Sequence, residues 1–354
     1  MSVVDKYSVI GLMSGTSLDG LDIVHSIFRI KNGEWCFEIV QAETLEYSEK
    51  WKVKLTEAFH FDANSLKVLD LDFGNYLGNK VKQFIDKFNI HPDLIASHGH
   101  TIHHQPEKKY TLQIGSGQEI FNKVGIPVAF NFRQADVLMG GQGAPLVPIG
   151  DEMLFGAYDF CLNLGGFANI SYAENGNRIA YDLTVANLAL NLLAKRNGFE
   201  YDIDGEIASK GVIDDDLLIE MNKLSYFSLK PPKSLGREWA ENEFFPLLEK
   251  KIPIENLMAT CVEHIALQII NSTSTKSKGS SILATGGGAF NKFLISRLGK
   301  CSDLKVVVPK ESLVSFKEAL IFAFLGVRLI RNESNCLASV TGAPQDHISG
   351  ELIN

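Results

Sequence analysis

Residues 7 to 30, YSVIGLMSGTSLDGLDIVHSIFRI, hold two β-type runs separated by a short polar turn, and no other stretch constrains the chain as much. Tyr7 to Met13 and Leu21 to Ile30 are rich in Val, Ile, Leu and Phe, whereas Ser14, Gly15, Thr16, Ser17, Asp19 and Gly20 interrupt the pattern. The prediction is a hairpin with an unusual tip. A plain hairpin turn accounts for the glycines but not for the hydroxyls packed beside them. Main-chain N–H groups freed by Gly15 and Gly20, with the hydroxyls of Ser14, Thr16 and Ser17, make a concave donor set suited to phosphate oxygens. Asp19 and Asp22 would repel a polyphosphate unless a hydrated Mg²⁺ stood between the two. No Lys follows the glycines, so the turn is not a P-loop.

At 354 residues the chain exceeds the usual size of one core, and two domains are expected. The stretch GGQGAPLVP, 140–148, is poor in side chains and lies near the middle of the sequence. A boundary within 130–155 gives a first domain over 1–150 and a second over 151–354, with room for the C-terminal tail to return to the first. A net charge of −8 without a dense Lys/Arg cluster argues against nucleic acid or an anionic membrane and for a small-molecule ligand. The start, MSVVDKYSV, lacks the basic and apolar segments of a signal peptide, and the most apolar helix, Ala319 to Ile330, is too short to span a bilayer. Cys36, Cys161, Cys261, Cys301 and Cys336 are scattered and never in a CxxC pair, which fits buried thiols in a reducing cytoplasm.

After the hairpin, Trp35 to Leu45 supplies a third antiparallel strand, and Asn64 or Ser65 caps a long helix. Leu66, Leu69, Phe73, Leu77, Val81, Phe84 and Ile85 give that helix one apolar face, and Gly74 and Gly78 allow a close neighbour. Three β-runs follow, Leu94 to Ser97, Tyr110 to Ile114 and Ile126 to Phe132, with a helix, Gln118 to Val124, between the last two. An α/β sheet is expected, with the polar stretches SHGHTIHH (97–104), GSG (115–117) and NFRQAD (131–136) as loops at the strand ends, where ligands bind in such sheets.

From Phe160 the opening pattern returns as the strand CLNLGG, the strand FANIS and then IAYDL, 179–183. Strand, glycine turn and strand in both halves hint at two similarly built lobes, without a residue-for-residue repeat. Helices are expected at Asn187 to Lys195, Asp214 to Asn222 and Asn256 to Asn271, the last with Leu257, Cys261, Ile265 and Ile269 on its buried face. Between the last two, the loop PPKSLGREW, 231–239, carries Lys233 and Arg237 within reach of an anion, or simply as surface cations. A glycine cluster, ATGGGAFN (284–291), follows the strand Ser281 to Ala284 and permits close approach of the backbone to a flat or charged ligand. A helix beginning near Ser315 and the tail SVTGA, 339–343, close the chain.

With glycine turns at 14–20, 164–166 and 286–288, the sequence resembles the actin, hexokinase and Hsp70 superfamily of ATP-binding proteins. Within it, the chain is similar to the anhydro-N-acetylmuramic acid kinases. The motifs GLMSGTSLDGLD, SHGHTIHH, NFRQADVLMGGQGAPLVP, NLGGFANIS, YDIDGEIASKG, PPKSLGREW and TGGGAFN occur in the family's order and span residues 11–343. The resemblance implies an α/β, two-lobed actin-like fold, each lobe a mixed β-sheet flanked by helices, closing over ATP and Mg²⁺ in the intervening cleft. It also implies a reaction: hydrolysis of the 1,6-anhydro bond of 1,6-anhydro-N-acetylmuramic acid while O6 takes the γ-phosphoryl of ATP, in cell-wall recycling by a cytoplasmic homodimer.

By the same resemblance Asp182 is the catalytic base, although an Asp at a strand end before a helix is also a common cap or turn former. Ser14, Gly15, Thr16, Ser17, Leu18, Asp19, Gly20 and Leu21 would form the phosphate loop, Asp19 would hold Mg²⁺ through water, and Gly286, Gly287 and Gly288 would add a second nucleotide contact. Thr101, Arg133, Asp136, Gly141, Gln142 and Gly143 would face the sugar. Glu318 matches a glutamate near the site, yet Ser315-x-x-Glu318 is also a capping-box signature. The chain departs from the family with DLTVAN for DTGPGN (182–187), HGHT for HGQT, NFR for DFR and ESNCLASVTGA for PGNLPSVTGA, all around the implied sugar pocket.

Two rivals use other features. His98, His100, His103 and His104 form HxHxxHH, a pattern that with further ligands would make a zinc-dependent hydrolase. A non-catalytic, nucleotide-switched binding protein is the other, and Asp182 with the substrate-side motifs speaks against it.

Overall fold

The structure, a computed structural model, describes residues 6–274 and 279–354. The chain forms two compact units, one from Met1–Leu154 with Phe316–Asn354 and one from Phe155–Ser315. The second begins inside the expected boundary of 130–155 and ends at Ser315, and the chain from Phe316 onward returns to the first unit, a longer return than the tail alone.

In the first unit β1 (Lys6–Ser14), β2 (Gly20–Lys31) and β3 (Glu34–Glu46) form the expected antiparallel meander. On the other side of β1, β4 (Leu94–Gln105) runs parallel to it. Next, β5 (Tyr110–Ile114) pairs antiparallel and β6 (Val128–Phe130) parallel to β4. The second unit begins with another antiparallel meander, β7 (Phe160–Leu164), β8 (Phe167–Glu174) and β9 (Asn177–Val185). Parallel to β7 lies β10 (Ser281–Thr285), and parallel to β10 lies β11 (Lys305–Val307). Finally β12 (Glu351–Ile353) joins the first sheet, antiparallel to β6. The order β6-β4-β1-β2-β3 in one unit thus matches β11-β10-β7-β8-β9 in the other, with the same strand senses. The hint of two similarly built halves holds at the level of topology.

The stretch 97–104, expected as a loop, is the body of β4. His100, Thr101, His103, His104 and Gln105 each have a partner on β5, so the ladder satisfies the backbone of a run whose polar side chains hide it from a hydropathy reading. The helix Ala63–Phe88 is capped by Asp62, which accepts from the Ser65 amide at 2.8 Å, not by Asn64 or Ser65 themselves. Its Leu66, Leu69, Phe73, Leu77, Val81 and Phe84 enter the core beneath the sheet, and Ile85 packs at the margin. Burying each such side chain contributes about 1.5–3 kcal/mol. Gly74 and Gly78 admit the helix Gly117–Val124 and its Ser116 cap: an added Cβ would stand 2.7 Å from the Ser116 carbonyl oxygen and 2.9 Å from Cβ of Lys123.

In the second unit the helix Ile254–Thr273 buries Met258, Val262 and Ala266 besides Leu257, Cys261, Ile265 and Ile269, so its apolar surface is broader than one stripe. The helix Glu311–Ile330 starts ahead of Ser315 and carries one non-helical residue, Phe316. From Ala319 onward it lies on the first sheet. A Cβ on Gly11 of β1 would fall 2.1 Å from the Ala319 carbonyl oxygen, and one on Gly326 would fall 2.8 Å from Cβ of Ala96 on β4. Cys161, Cys261 and Cys336 are buried, but Cys36 and Cys301 are exposed. Among the described residues no helix is long and apolar enough to cross a membrane.

Candidate active site

The hairpin turn of the first unit sets Thr16, Ser17 and Asp19 in solvent, while Ser14 and Gly20 are buried. The Ser14 hydroxyl is engaged. Tyr47 donates to it at 2.7 Å, and it stands 2.9 Å from Nδ1 of His100, which burial keeps neutral by lowering its pKa to about 4. Gly20 is required by β3, because a Cβ there would sit 2.7 Å from the Leu45 carbonyl oxygen. Leu21 points into the core and Leu18 packs beside it with φ of 61°. The turn's accessible donors are therefore the hydroxyls of Thr16 and Ser17 and the local backbone, a smaller set than the sequence suggested.

Three carboxylates surround the base of this turn. Asp22 accepts from the Thr44 hydroxyl at 2.6 Å. Burial, reinforced by the charges of Glu318 and Asp19, raises its pKa to about 6 against the effect of that hydrogen bond. Burial also raises the pKa of Glu318, and the positive charges of Arg133 and Lys317 oppose the rise. Ser315 lies within the helix that begins at Glu311, and the helix break falls at Phe316, so Glu318 is not the third residue of a capping box.

Arg133 donates from Nε to Nε2 of His98 at 2.9 Å and from Nη1 to the Gly143 carbonyl at 2.7 Å. The GGQG turn is further pinned by Asp136. Its Oδ2 accepts from the Gly143 amide at 2.6 Å, and its main-chain carbonyl accepts from the Gly141 amide at 2.9 Å. A Cβ on Gly141 would fall 2.2 Å from Oδ2, and Gly143 has φ of 67°, so both glycines serve the carboxylate. Asp136 is fully buried, which departs from the expectation that it faces a ligand, whereas the Gln142 side chain is exposed. Thr101 is half-buried on β4 and accepts from Gln113 at 3.4 Å. Asn131 takes a left-handed φ of 54°, which Asn tolerates.

The histidines of HGHTIHH turn to separate partners: His98 to Arg133, His100 to Ser14, His104 to Thr111 at 3.1 Å, and His103 to the rings of Phe59 and Tyr110. Among the described residues they form no group able to share an ion.

In the second unit Asp182 lies inside β9, opposite Asn169, and not at the strand end, because the strand runs on to Val185. Its Oδ2 accepts from the Leu235 amide at 2.8 Å, and its main-chain carbonyl accepts from the Tyr226 hydroxyl at 2.6 Å. The loop 231–239 thus positions the carboxylate. Burial raises its pKa, and the Leu235 hydrogen bond opposes that. Lys233 lies 4.5 Å from the ring centre of Tyr226 and donates to that residue's carbonyl, while exposed Arg237 pairs with Glu241 at 2.8 Å.

The glycines at 286–288 divide by role. Gly286 has φ of 79° and would place a Cβ 2.4 Å from Asn163 Oδ1, and Gly288 would place one 2.8 Å from Cβ of Leu164, so both answer to the adjacent strand. Gly287 has room, with 3.7 Å to the nearest neighbour. It opens on a pocket of about 400 Å³ that is also lined by Asn187, Tyr201, Ile203, Phe290 and Asn291. Tyr201, Ile203 and Phe290 are exposed and give the pocket a largely apolar wall suited to a flat ligand. Phe290 and Asn291 belong to the glycine cluster 284–291, whereas Tyr201 and Ile203 come from YDIDGEIASKG, a stretch in which no glycine turn or charge pattern marks a ligand wall.

The family model described as anhydro-N-acetylmuramic acid kinase matches residues 7–354. The anhydro-N-acetylmuramic acid kinase of Caldanaerobacter subterraneus subsp. tengcongensis is 31% identical, over 97% of this chain and 96% of that protein. That of Shewanella loihica is 33% identical, over 99% of both. Among solved structures, a ROK family glucokinase from Streptomyces griseus, in complex with glucose and AMPPNP, is similar over 91% of this chain and 99% of that one, at 9% identity and a TM-score of 0.40. The match to the family model over nearly the whole chain, with relatives above 30% identity along their full length, shows that this chain belongs to the anhydro-N-acetylmuramic acid kinase family and is a kinase.

Proposed function

We propose that the chain hydrolyses the 1,6-anhydro bond of 1,6-anhydro-N-acetylmuramic acid and transfers the γ-phosphoryl of ATP to O6, giving N-acetylmuramic acid 6-phosphate and ADP. The observation that carries this reading is the state of Asp182. One carboxylate oxygen is fixed by the Leu235 amide, the other has no hydrogen bond among the described residues, and burial lifts the pKa. A carboxylate so held is oriented and more basic than an exposed one, as a general base for water requires. Asp182 takes the water proton, the oxygen bonds to the anomeric carbon, the bond from that carbon to O6 breaks, and O6 attacks the γ-phosphorus as ADP leaves.

Thr16, Ser17 and the backbone of the hairpin turn suit phosphate oxygens, and the pocket at Gly287 suits the adenine and ribose. Asp22 interacts electrostatically with Glu318 and Asp19, and Asp19 would hold Mg²⁺ beside them through its water shell. That ion would neutralise charge on the phosphates. Arg133 and Gln142 are the sugar-side contacts in this reading, with Asp136 acting through the turn it holds. Cell-wall recycling in the cytoplasm, by a homodimer, follows from the family resemblance.

The test is Asp182→Asn. Turnover of the anhydro-sugar should fall below detection while calorimetric ATP binding persists. Most of the activity remaining would remove Asp182 from the role of base, and ADP release independent of any anhydro-sugar would favour a nucleotide-switched binding protein.

A further inference from the structure

A second cluster of chemistry-bearing side chains adjoins the GGQG turn: it shares the Asp136 carboxylate with the Gly143 amide, and the Gln142 main-chain amide donates to the Thr341 carbonyl beside it at 2.7 Å. Cys336 and His347 form an isolated antiparallel bridge, exchanging backbone hydrogen bonds at 3.1 and 3.2 Å. The bridge brings both side chains to Asp136 in the helix Gln134–Leu138. Cys336 Sγ stands 3.1 Å from Asp136 Oδ1, and His347 Nε2 stands 3.5 Å from the same oxygen. All three residues are buried, and their three donor atoms lie within 4.8 Å of one another.

The imidazole is set for coordination. Nδ1 of His347 faces the Gln345 carbonyl at 3.1 Å, and a carbonyl only accepts, so Nδ1 carries the proton. That leaves Nε2 with its lone pair directed inward, buried and without a hydrogen-bond partner. A lone pair facing a carboxylate oxygen requires a positive charge between them, either a second ring proton or a metal ion. Histidine ligands in metal sites commonly give their other N–H to a carbonyl in this way. The carboxylate is oriented too, by the Thr341 hydroxyl at 2.8 Å on Oδ1 and the Gly143 amide at 2.6 Å on Oδ2.

We propose that Asp136, Cys336 and His347 bind one zinc ion, a structural site outside the phosphoryl-transfer machinery. Thiolate and imidazole together select zinc over magnesium, and the Thr341 hydroxyl or a water would complete the set as a fourth ligand. Binding releases the Cys336 thiol proton to solvent, and the metal–sulfur bond replaces the S–H···O contact. The ion would tie the C-terminal segment 336–347 to the helix and turn that carry Arg133 and Gln142.

The experiment uses untagged full-length protein in a Cys36→Ser/Cys301→Ser background, which removes the exposed thiols. After chelation and gel filtration it is loaded with Zn²⁺ for elemental analysis, or with Co²⁺ for absorption. Expected are about one equivalent of retained zinc and, with Co²⁺, a thiolate charge-transfer band with tetrahedral d–d intensity. Cys336→Ser and His347→Gln should each weaken metal binding roughly tenfold or more. Zinc far below one equivalent, or a Co²⁺ spectrum without the thiolate band, would overturn the site and leave the three side chains as a packing cluster. The parent spectrum decides the question even where a variant fails to fold.

Discussion

Arg133 and His98 form a directional pair: Nε of the guanidinium donates to Nε2 of the imidazole across 2.9 Å. His98 points its Nδ1–H at the Gly99 carbonyl, 2.9 Å away, so Nε2 must accept and the ring is neutral. Burial and the charge of Arg133 together hold its pKa well below the ordinary value. Burial lowers the pKa of Arg133 to about 10, with Glu318 opposing, so the guanidinium stays charged at neutral pH. The second arm of the fork reaches the Gly143 carbonyl, which couples the cation to the GGQG turn.

Lysine cannot reproduce that fork. Arg133→Lys should therefore lower kcat/KM for the anhydro-sugar by roughly 10- to 100-fold. Thermal unfolding should shift by only a few degrees, and KM for ATP should stay constant. Steady-state kinetics with each substrate varied in turn checks this, and an unchanged kcat/KM would take Arg133 out of sugar handling.

Asp182 gives a pH prediction. A base acts only when deprotonated, and burial raises this carboxylate above its ordinary 3.8. The rate should therefore fall as pH drops through a value above 3.8, and the acid limb of kcat/KM should report it. Leu235→Pro removes the amide that favours the charged form, so the limb should move to higher pH in that variant. An acid limb at the same pH in both proteins would assign it to another group.

The first hairpin, the third strand and the long helix were legible because alternation and helical spacing survive in Tyr7 to Leu45 and in Leu66 to Phe84. What stayed hidden depended on partners distant in the chain. Imidazoles disguised β4 until β5 was placed beside it. Gly20, Gly141, Gly286 and Gly288 read as openings for a ligand, but Leu45, Asp136, Asn163 and Leu164 explain them as packing. The turn hydroxyls looked equivalent, yet Tyr47, beyond the next two strands, removes Ser14 from the set. The cap of the long helix falls at Asp62 and not at Asn64 or Ser65, a displacement that only the bond to the Ser65 amide resolves.

Asp22 links stability to pH. Its folded pKa of about 6 exceeds the ordinary 3.8, so between those values the folded chain holds a proton that the unfolded chain has released. Stability contributed by this group is lost as pH rises across that window and stays lower above it. Asp22→Asn keeps an acceptor for Thr44 and removes the charge, so it should gain about 1–2 kcal/mol at pH 7 once partial exposure is allowed for. Urea unfolding from pH 4 to 7 in chelator should show a flatter dependence than the parent, and an identical slope would contradict the assignment. Kinase activity should fall in the same variant if Asp22 helps to hold Mg²⁺, a trade of function for stability.

Gly286 and Gly287 are adjacent and should respond in opposite ways to alanine. At Gly286 the φ of 79° and the Asn163 oxygen 2.4 Å from the added Cβ leave no place for a methyl group. Gly286→Ala should destabilise the protein by about 1–3 kcal/mol, with the loss visible in urea unfolding without nucleotide. At Gly287 the nearest atom is 3.7 Å away, so alanine fits the fold and unfolding should change little. There the methyl group would project toward the pocket that Tyr201 and Phe290 line, and ADP affinity measured by calorimetry should weaken about tenfold. Unaltered ADP binding in Gly287→Ala, with the fold intact, would move the nucleotide away from this turn.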